Sequence, residues 1–422
     1  MAGFATLAAI AAQVTTQTGT ATTPPSTADA TATAAHLGES TYVDLEGGAG
    51  YSSNPLLRLG SGNGAAYGRI SAHVVHTRIS ERTTTVLSGF AQGLFYTRHF
   101  GADESFDVNA RHDAAVNESL RVFIDGDASY DRGGQLDTQI LTIPNVPLLP
   151  GTTVPPPLLA PGSDFLTVTG RNYRLRADAG GSLALSPRDG LAFTSGIEHD
   201  VLKSGALDTR YTSVPLSLGY NRELSPFTTV GARVVAQFTH FSGNLTTRSA
   251  DVRVITPEAT AQLRLSEHLT FSGDAGVSFA SVDDGVRTRH STGLAGDANL
   301  CSTGERSSLC ARASIQQQAA TSAGPAQSLS VGVDYSRRLT EVDTLQLSVG
   351  ADRYSNPVIL VSGQAFNRAT YMRAVANYSR KIGGRWFGGV NLSARKLTET
   401  GPDPDADLAA SIFVRYRFGD VR

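Results

Sequence analysis

Alternation of apolar and polar side chains with a period of two is the feature that most constrains this chain. Residues 230–240 read VGARVVAQFTH, in which Val234 and Phe238 share one face while Arg233 and Gln237 fall on the other. Similar runs lie at residues 106–114, 269–279, 329–335 and 408–418. Successive side chains of a strand point to opposite faces, so these runs predict an all-β chain whose strands have one apolar and one polar face.

A short phrase recurs between the alternating runs. It consists of an aliphatic residue, a Ser or Thr and two or three polar residues, as in RISERTTT from residue 78, RLSEHLTF from 264 and RRLTEVDTLQL from 337. So few residues between two strands predict a tight hairpin turn. Turns are predicted near Ile79, Val116, Leu185, Leu224, Leu265, Leu339 and Ile382. Seven turns join fourteen strands, and one further strand before the first turn and one after the last give about sixteen.

The connections between hairpins are longer than the turns within them. Two polar stretches are the longest, residues 131–164, rich in Pro and Gly, and residues 283–327, which contain both cysteines; both are predicted to be long extracellular loops. Short turns at one end, long loops at the other and an even strand number are typical of outer-membrane barrels. The sequence therefore predicts a transmembrane, antiparallel up-and-down β-barrel over residues 41–419, with short periplasmic turns. A propeller also repeats at about 40 residues, but its blades hold four short strands per repeat rather than two of about ten residues.

The apolar face of a strand points into the core of a soluble barrel, whereas in a membrane barrel it points outward to the lipid. A ring of about sixteen strands leaves a lumen too wide for side chains to fill, and charges in a dry core would be costly. The charged positions of the polar face are thus predicted to line a watery lumen. They are Arg174, Arg176, Arg233, Glu258, Arg264, Arg373, Arg395 and Arg415. Aromatic residues near strand ends are predicted to form interfacial girdles. They are Tyr51, Tyr96, Tyr130, Phe165, Tyr220, Phe241, Tyr335, Tyr354, Tyr378 and Trp386.

Charges are distributed unevenly among the strands. Acidic residues gather on early strands, at Asp44, Glu46, Asp107, Asp113, Asp125 and Asp127, and basic residues on late strands, at Arg373, Arg395, Arg415 and Arg417. In a closed barrel the last strand pairs with the first, so one hypothesis is a transverse field that favours dipolar or anionic solutes, including acidic glycans. The alternative is a wall of mixed charge filled with water.

The first residues differ from the barrel region. Residues 1–12 are small and apolar, which predicts a signal segment, although no Lys or Arg precedes Arg58 and the usual positive region is missing. The alternative is a disordered Ala-rich tail. Residues 13–40 form a Thr/Ala/Pro-rich tract that is predicted to be a disordered leader.

Composition excludes several classes of function. With 36 basic and 38 acidic side chains the chain has a net charge of −2, which predicts no nucleic-acid partner. No apolar run is long enough for a spanning helix. The two cysteines, Cys301 and Cys310, are too few for a structural zinc site and suggest one disulfide, with two free thiols as the alternative.

Motifs for catalysis or cofactor binding are weak in this sequence. The sequence contains no P-loop, its histidines lack metal-ligand spacing, and no cofactor is predicted. The best catalytic candidates are Glu198, His199 and Asp200 with Asp283 and Asp284, which resemble the rim residues of barrel proteases. Neighbouring strand residues face opposite sides, so His199 and Asp200 cannot both line one lumen. The chain is therefore predicted not to be an enzyme.

Several segments of the chain are distinctive when taken together. They are the leader, GAGYSSNPL at 48–56, the recurring turns, LCSTGERSSLCARAS at 300–314 and VRYRFG at 414–419. With them the chain resembles the β-barrel porin type 2 family of proteobacterial outer-membrane proteins. The resemblance covers about residues 40–420 and implies an outer-membrane location, with lipid as a partner and a role in exopolysaccharide export or passive diffusion. A polysaccharide and periplasmic export components are further implied partners. The family supplies no catalytic or binding residue.

The last strand resembles the terminal strands of outer-membrane proteins, whose final aromatic residue is recognised by the barrel-assembly machinery. Here Phe418 is that aromatic residue, and four residues follow it. The expected function is a pore for hydrophilic solutes. The alternatives are a plugged structural or adhesin-like barrel and a hydrolase acting at the rim.

Overall fold

The computed structural model describes residues 38–55, 57, 64–97, 101–132, 171–204, 207–243, 250–283, 285–320, 324–359, 365–399 and 405–419. These residues form eighteen strands. The strands are β1 Gly38–Ser52, β2 Ala65–Ile79, β3 Thr83–Tyr96, β4 Ala102–Ala115, β5 Leu120–Arg132, β6 Arg171–Ala184, β7 Asp189–Ser204, β8 Leu207–Ser225, β9 Thr228–Gly243, β10 Ala250–Arg264, β11 Leu269–Asp283, β12 Thr288–Thr303, β13 Ser307–Ala320, β14 Gly324–Arg338, β15 Asp343–Ile359, β16 Ala365–Gly383, β17 Trp386–Glu399 and β18 Asp407–Gly419. Within these ranges no helix could span a membrane.

The strands close into one antiparallel barrel. Each strand pairs with the next in the chain, and β1 pairs with β18 from Tyr42↔Gly419 to Ser52↔Ala409. This confirms the predicted up-and-down barrel. Its eighteen strands compare with the predicted number of about sixteen.

The additional strands, β12 and β13, lie in the stretch 283–327, so the prediction of a long loop there is wrong. Their sequences, TRHSTGLAGDANLCST and SSLCARASIQQQAA, contain few large apolar side chains, and the alternation is therefore weak. Cys301 and Cys310 are directly opposed across this hairpin and are joined by a disulfide. The cysteines lie beside a short turn rather than in an extracellular loop.

Both ends of the barrel region lie beside the short turns. Gly38 at the start of β1 pairs with Ile79, which precedes a short turn, and Gly419 at the end of β18 pairs with Tyr42. In outer-membrane barrels the short turns are periplasmic, so this end faces the periplasm. The predicted signal segment, residues 13–37 of the predicted leader and residues 133–164 lie outside the described residues.

The connections at the opposite end vary in length. The sequence separation is largest between β5, which ends at Arg132, and β6, which begins at Arg171. β7 ends at Ser204 and β8 begins at Leu207, so this connection is as short as a periplasmic turn. The prediction that a longer connection follows every short turn is therefore wrong here. The pairing of β7 with β8 continues to Ser204↔Leu207, so few residues are left between the two strands.

The outer face of the barrel is apolar. Leu294 and Ile412 have 64% and 65% of their surface exposed, and many other large apolar side chains on this face are exposed as well. Directly paired residues share a face, and the register places charged residues such as Arg233 and its partner Glu258 on the inner side. This inversion of a soluble barrel identifies an outer-membrane β-barrel, because only a lipid surrounding makes a continuous apolar outer band favourable.

Hydrogen bonds in the periplasmic turns explain the recurring phrase. The Ser266 hydroxyl accepts bonds from the backbone N–H groups of His268 and Leu269, at 3.3 and 3.1 Å. Ser186 and Thr340 accept the equivalent backbone bonds in their own turns. A hydroxyl at this position accepts hydrogen bonds from backbone N–H groups of the turn that do not take part in strand pairing. The aliphatic residues that begin most of these turns are exposed: Val116, Leu185, Leu224, Leu265, Leu339 and Ile382.

Two aromatic groups flank the outer band. On the extracellular side the rings of Phe106, Tyr130 and Tyr173 follow one another, with 5.0 Å between neighbouring centroids. On the periplasmic side the ring of Trp386 lies 4.7 Å from that of Tyr416. Of the predicted girdle residues, Tyr96 and Phe241 instead face the lumen, since they pair with lumen-facing residues. Phe165 and the side chain of Tyr354 lie outside the described residues.

Candidate functional site: the lumen wall

The lumen wall carries all eight charged residues that the sequence suggested. Their register partners place Arg174, Arg176, Arg233, Glu258, Arg264, Arg373, Arg395 and Arg415 on the inner face. Arg264 is the last residue of β10 and lies at the periplasmic rim. The other seven residues lie in the interior of their strands. Contact of these residues with a solute stays a prediction.

Arg174 on β6 is at the centre of one network. Its Nε lies 3.1 Å from Asp200 Oδ2 and 3.4 Å from Glu198 Oε1, both on β7. Tyr211 on β8 donates its hydroxyl to Glu198 at 2.9 Å. Asp200 is fully buried. The wall therefore neutralises this arginine with carboxylates of the adjacent strand.

Arg233 on β9 forms a second network over three strands. Its guanidinium lies 2.6 Å from Glu258 on β10 and 3.1 Å from Asp274 on β11. Arg176 contacts Asp178, two residues further along the same strand. These ion pairs run along and between neighbouring strands, not across the lumen.

The pairing within the wall bears on the predicted transverse field. Arg417 on β18 binds Asp44 on the adjoining β1, and Arg415 lies 3.9 Å from the same carboxylate. Arg69 contacts Glu46, again between adjacent strands. Opposite charges this close to each other neutralise one another, so their combined electric field is weak beyond a few ångströms of water. The ion pairs therefore favour the alternative of a wall of mixed charge.

A cluster of polar groups, which we call the mouth clasp, consists of Ser52, Asn54, Pro55, Arg395 and Asp407. The fully buried Asp407 accepts bonds from Ser52 Oγ at 2.6 Å and from the Asn54 N–H at 2.9 Å. Arg395 donates to Asp407 at 2.7 and 3.1 Å and to the Pro55 carbonyl at 2.9 Å. Arg395, predicted as a residue that lines an open lumen, thus fixes the segment that follows β1.

Leu57 shows where that segment goes. It packs against Tyr371 and Leu397, two buried residues of the lumen face on β16 and β17. Its φ of 48° lies in the left-handed region, which a non-glycine residue adopts only when its contacts hold it there. The mouth clasp and Leu57 therefore narrow the extracellular mouth of the barrel. The sequence motif GAGYSSNPL ends directly before Leu57, and alternation alone gave no sign of a contact between Leu57 and the lumen face.

The residues considered for catalysis are not assembled. His199 lies on the outer face, where its Nδ1 is 2.9 Å from Thr212 Oγ1, while Asp200 faces the lumen. Asp283 is on β11, with three strands between it and β7, and Asp284 lies outside the described residues. Among the residues that the structure describes, no group of His, Cys, Asp and Glu could hold a metal ion.

A small recess of about 30 Å³, open to the lumen, lies in the wall between β12 and β16. We call it the wall recess. Arg312 and Arg373 lie at its two sides, and Gly332 and Gly350 form its floor. The four residues belong to a single cross-strand row, because Arg312 pairs with Gly332, Gly332 with Gly350 and Gly350 with Arg373. Sequence alternation placed Arg373 on the lumen face but could not reveal this row.

Comparisons with known proteins give the fold only. No family model and no curated protein matches the chain. The FrpB iron transporter from Neisseria meningitidis (F3-3 variant) is similar over 85% of this chain and 62% of its own, at 10% identity and a TM-score of 0.44. This chain therefore spans less than two thirds of that transporter.

Two further solved structures are similar at the same level. The alcaligin outer-membrane receptor FauA from Bordetella pertussis is similar over 89% of this chain and 76% of its own, at 10% identity and a TM-score of 0.39. For the siderophore receptor PirA from Pseudomonas aeruginosa the values are 89%, 80%, 10% and 0.42. At these TM-scores the likenesses carry no argument about function, and membership of the porin type 2 family stays a prediction.

Proposed function

We propose that this barrel is a pore that passes hydrophilic solutes across the outer membrane. The observation that carries the proposal is the polar inner wall, whose charges are held in ion pairs such as Arg233 with Glu258 and Asp274. A polar wall is compatible with water along the lumen, and neutralised charges do not trap an ion of either sign. The resemblance to porin type 2 proteins supports exopolysaccharide as one class of cargo.

The test is single-channel conductance of the refolded barrel in a planar bilayer. We expect steady openings with nearly equal permeability to anions and cations, because the charges are paired within the wall. Added oligosaccharides are expected to interrupt the current if they enter the lumen. Absence of openings from protein that is folded, as judged by its heat-dependent mobility on SDS gels, would contradict the proposal.

A second candidate is a barrel that is closed at its extracellular end. Its support is an apolar cluster on the lumen face of β9, β10 and β11, near that end. Phe241, Val252 and Val254 in this cluster are buried, with 1–5% of their surface exposed. A water-filled pore would leave such side chains hydrated, so their burial favours partial closure there. Silence of the folded protein in the bilayer would select this candidate.

A further inference from the structure

We propose that three basic residues on the outer face of β5, β6 and β7 bind the phosphate headgroup of a lipid in the outer leaflet of the membrane. The residues are Arg132, Arg171 and Lys203, which we call the basic row. Arg132 pairs with Arg171 and Arg171 with Lys203, so the three side chains lie side by side on adjacent strands. All three residues are exposed.

The basic row lies at the depth of lipid headgroups. Arg132 is two residues from Tyr130 and Arg171 is two residues from Tyr173, and alternate residues of a strand share a face. Both tyrosines belong to the aromatic group on the extracellular side of the outer band, and Tyr173 is 40% exposed. Aromatic girdles mark the boundary between the hydrocarbon and the polar interface. The basic row, which lies directly beyond that boundary, therefore faces the headgroups of the outer leaflet.

The surroundings do not neutralise the basic row. Like charges that face each other on neighbouring strands repel. Glu104 lies 3.1 Å from Arg132, with 59% and 46% of the two side chains exposed. Asp208, opposite Lys203, accepts two hydrogen bonds from Arg210. Together with the central arginine of the row, four basic residues thus share two carboxylates, and the patch keeps an excess of positive charge.

A phosphomonoester matches the basic row in charge and in geometry. It has close to two negative charges and three terminal oxygens that accept hydrogen bonds. Directly paired residues of neighbouring strands are about 5 Å apart, so the three side chains can converge on one phosphate. Arginine binds phosphate oxygens in pairs through its planar fork, and lysine adds a compact charge. The exposed pair of Glu104 with Arg132 contributes little and is readily exchanged for such an anion.

The outer face below the aromatic group favours a lipid over a soluble anion. Ala110, Gly126 and Ala177 are paired in one row across β4, β5 and β6. A Cβ at Gly126 would meet a single atom, at 4.0 Å. Leu175 and Ile124, on the rows above and below, are 59% and 60% exposed. The surface is therefore low between two projecting side chains, where an acyl chain can contact the barrel closely.

The test is native mass spectrometry of the folded barrel in detergent, with dioleoyl phosphatidate, phosphatidylglycerol and phosphatidylcholine as probes. We expect phosphatidate to bind most tightly, because only its phosphate can have a second negative charge. Arg171→Gln should weaken phosphatidate binding about fivefold, the typical effect of one basic residue at an anionic surface. Arg253→Gln is the matched control. Arg253 is exposed on the outer face of β10 near the same end, where it lies opposite Phe238 and Ser281 instead of other charges.

Glu104→Gln tests the basic row in the opposite direction. It removes the carboxylate that competes for Arg132, so phosphatidate should bind severalfold more tightly than to the wild type. A gain of affinity cannot come from damage to the fold, and this variant therefore covers the case that Arg171→Gln is destabilised. Binding should also weaken as the salt concentration rises, since the charges are exposed.

Three results would overturn the inference. The first is equal affinity for phosphatidate and phosphatidylcholine. The second is an equal loss in Arg171→Gln and Arg253→Gln, or no gain in Glu104→Gln. The third is binding of glycerol 3-phosphate as tight as that of phosphatidate, which would assign the basic row to a soluble anion. The pore proposal is tested separately by conductance, because the basic row faces away from the lumen.

Discussion

Asp44 on the first strand accepts two hydrogen bonds from the guanidinium of Arg417 on the last strand, each 2.6 Å long. The Asp44 carboxylate is 3% exposed, and Arg415 lies 3.9 Å away. We expect Asp44→Asn to destabilise the barrel by about 3 kcal/mol, because removing one partner of a buried pair leaves the other charge uncompensated. The measurement is the temperature at which the folded band disappears on SDS gels.

The control for this prediction is Glu39→Gln, since Glu39 is an exposed residue of the same strand. A folded band of Asp44→Asn as heat-resistant as that of the control would show that Arg417 does not depend on this carboxylate.

Asp407→Asn is expected to release the mouth clasp. The substitution removes the charge that holds Arg395 at 2.7 Å, so the segment that contains Leu57 is freed from the lumen face. If the barrel conducts, the single-channel current should be larger and noisier than that of the wild type. Asp405→Asn is the matched control, because Asp405 contributes only its backbone carbonyl, which accepts a bond from Asn54 at 3.1 Å. An unchanged current in Asp407→Asn would mean that the clasp does not narrow the conducting path.

Adjacent positions on β8 test the assignment of the two faces. Leu218 is exposed on the outer face, whereas Ser217 faces the lumen and lies 2.6 Å from Thr194. Leu218→Arg is expected to destabilise the barrel folded in vesicles by about 2–4 kcal/mol, which is the cost of an arginine in the middle of the lipid face. Ser217→Arg should cost far less, since its charge reaches water. Equal losses for the two variants would contradict the assigned orientation.

The periplasmic turns are expected to respond to acid. At the turn that begins with Leu185, hydrogen bonds from Ser186 at 2.6 Å and Tyr220 at 2.5 Å hold the pKa of Asp189 below its ordinary value of 3.8. Bonds from Thr340 and Tyr378 lower the pKa of Asp343 in the same way. A lowered pKa contributes stability that is fully present above the unfolded value and is lost as pH falls through the folded value. The contribution of these two turns to thermal stability should therefore be present above about pH 4 and should be lost as the pH falls below it.

The matching variant is Ser186→Ala with Tyr220→Phe, which removes both donors to Asp189. We expect the pKa of Asp189, followed by NMR of its carboxyl carbon, to rise towards its ordinary value of 3.8, with Arg222 still lowering it. A titration that stays low in this variant would mean that another group sets the pKa of Asp189.

Sequence alternation predicted the faces of the strands well where large side chains alternate with polar ones. Val234 and Phe238 lie outside and Arg233 inside, as the pattern in β9 requires. The signal failed in β12 and β13, where many positions are glycine, alanine or serine and the contrast between faces is small. Small side chains cost little on either face, so their order carries little information about the strand.

Side-chain partners could not be predicted from alternation. The carboxylate that holds Arg395 is Asp407, on the next strand, and the register of two strands fixes which residues meet. The same limit applies to the wall recess, since the row from Arg312 to Arg373 depends on three separate registers. The transverse field stays a hypothesis for this reason, as composition by strand does not reveal the ion pairs between neighbours that favour the alternative.

The order of the strands has a consequence for how the barrel forms. Among the described strands, every pairing joins neighbours along the chain except that of β1 with β18. Hairpins close short loops, whereas pairing β1 with β18 directly would close a far longer one, at a higher cost in chain entropy. Zipping can therefore proceed from turn to turn as an open, curling sheet, with the pairing of β1 and β18 as the last step. Until then, the edges of β1 and β18 are the two places where another sheet could add itself to the growing barrel.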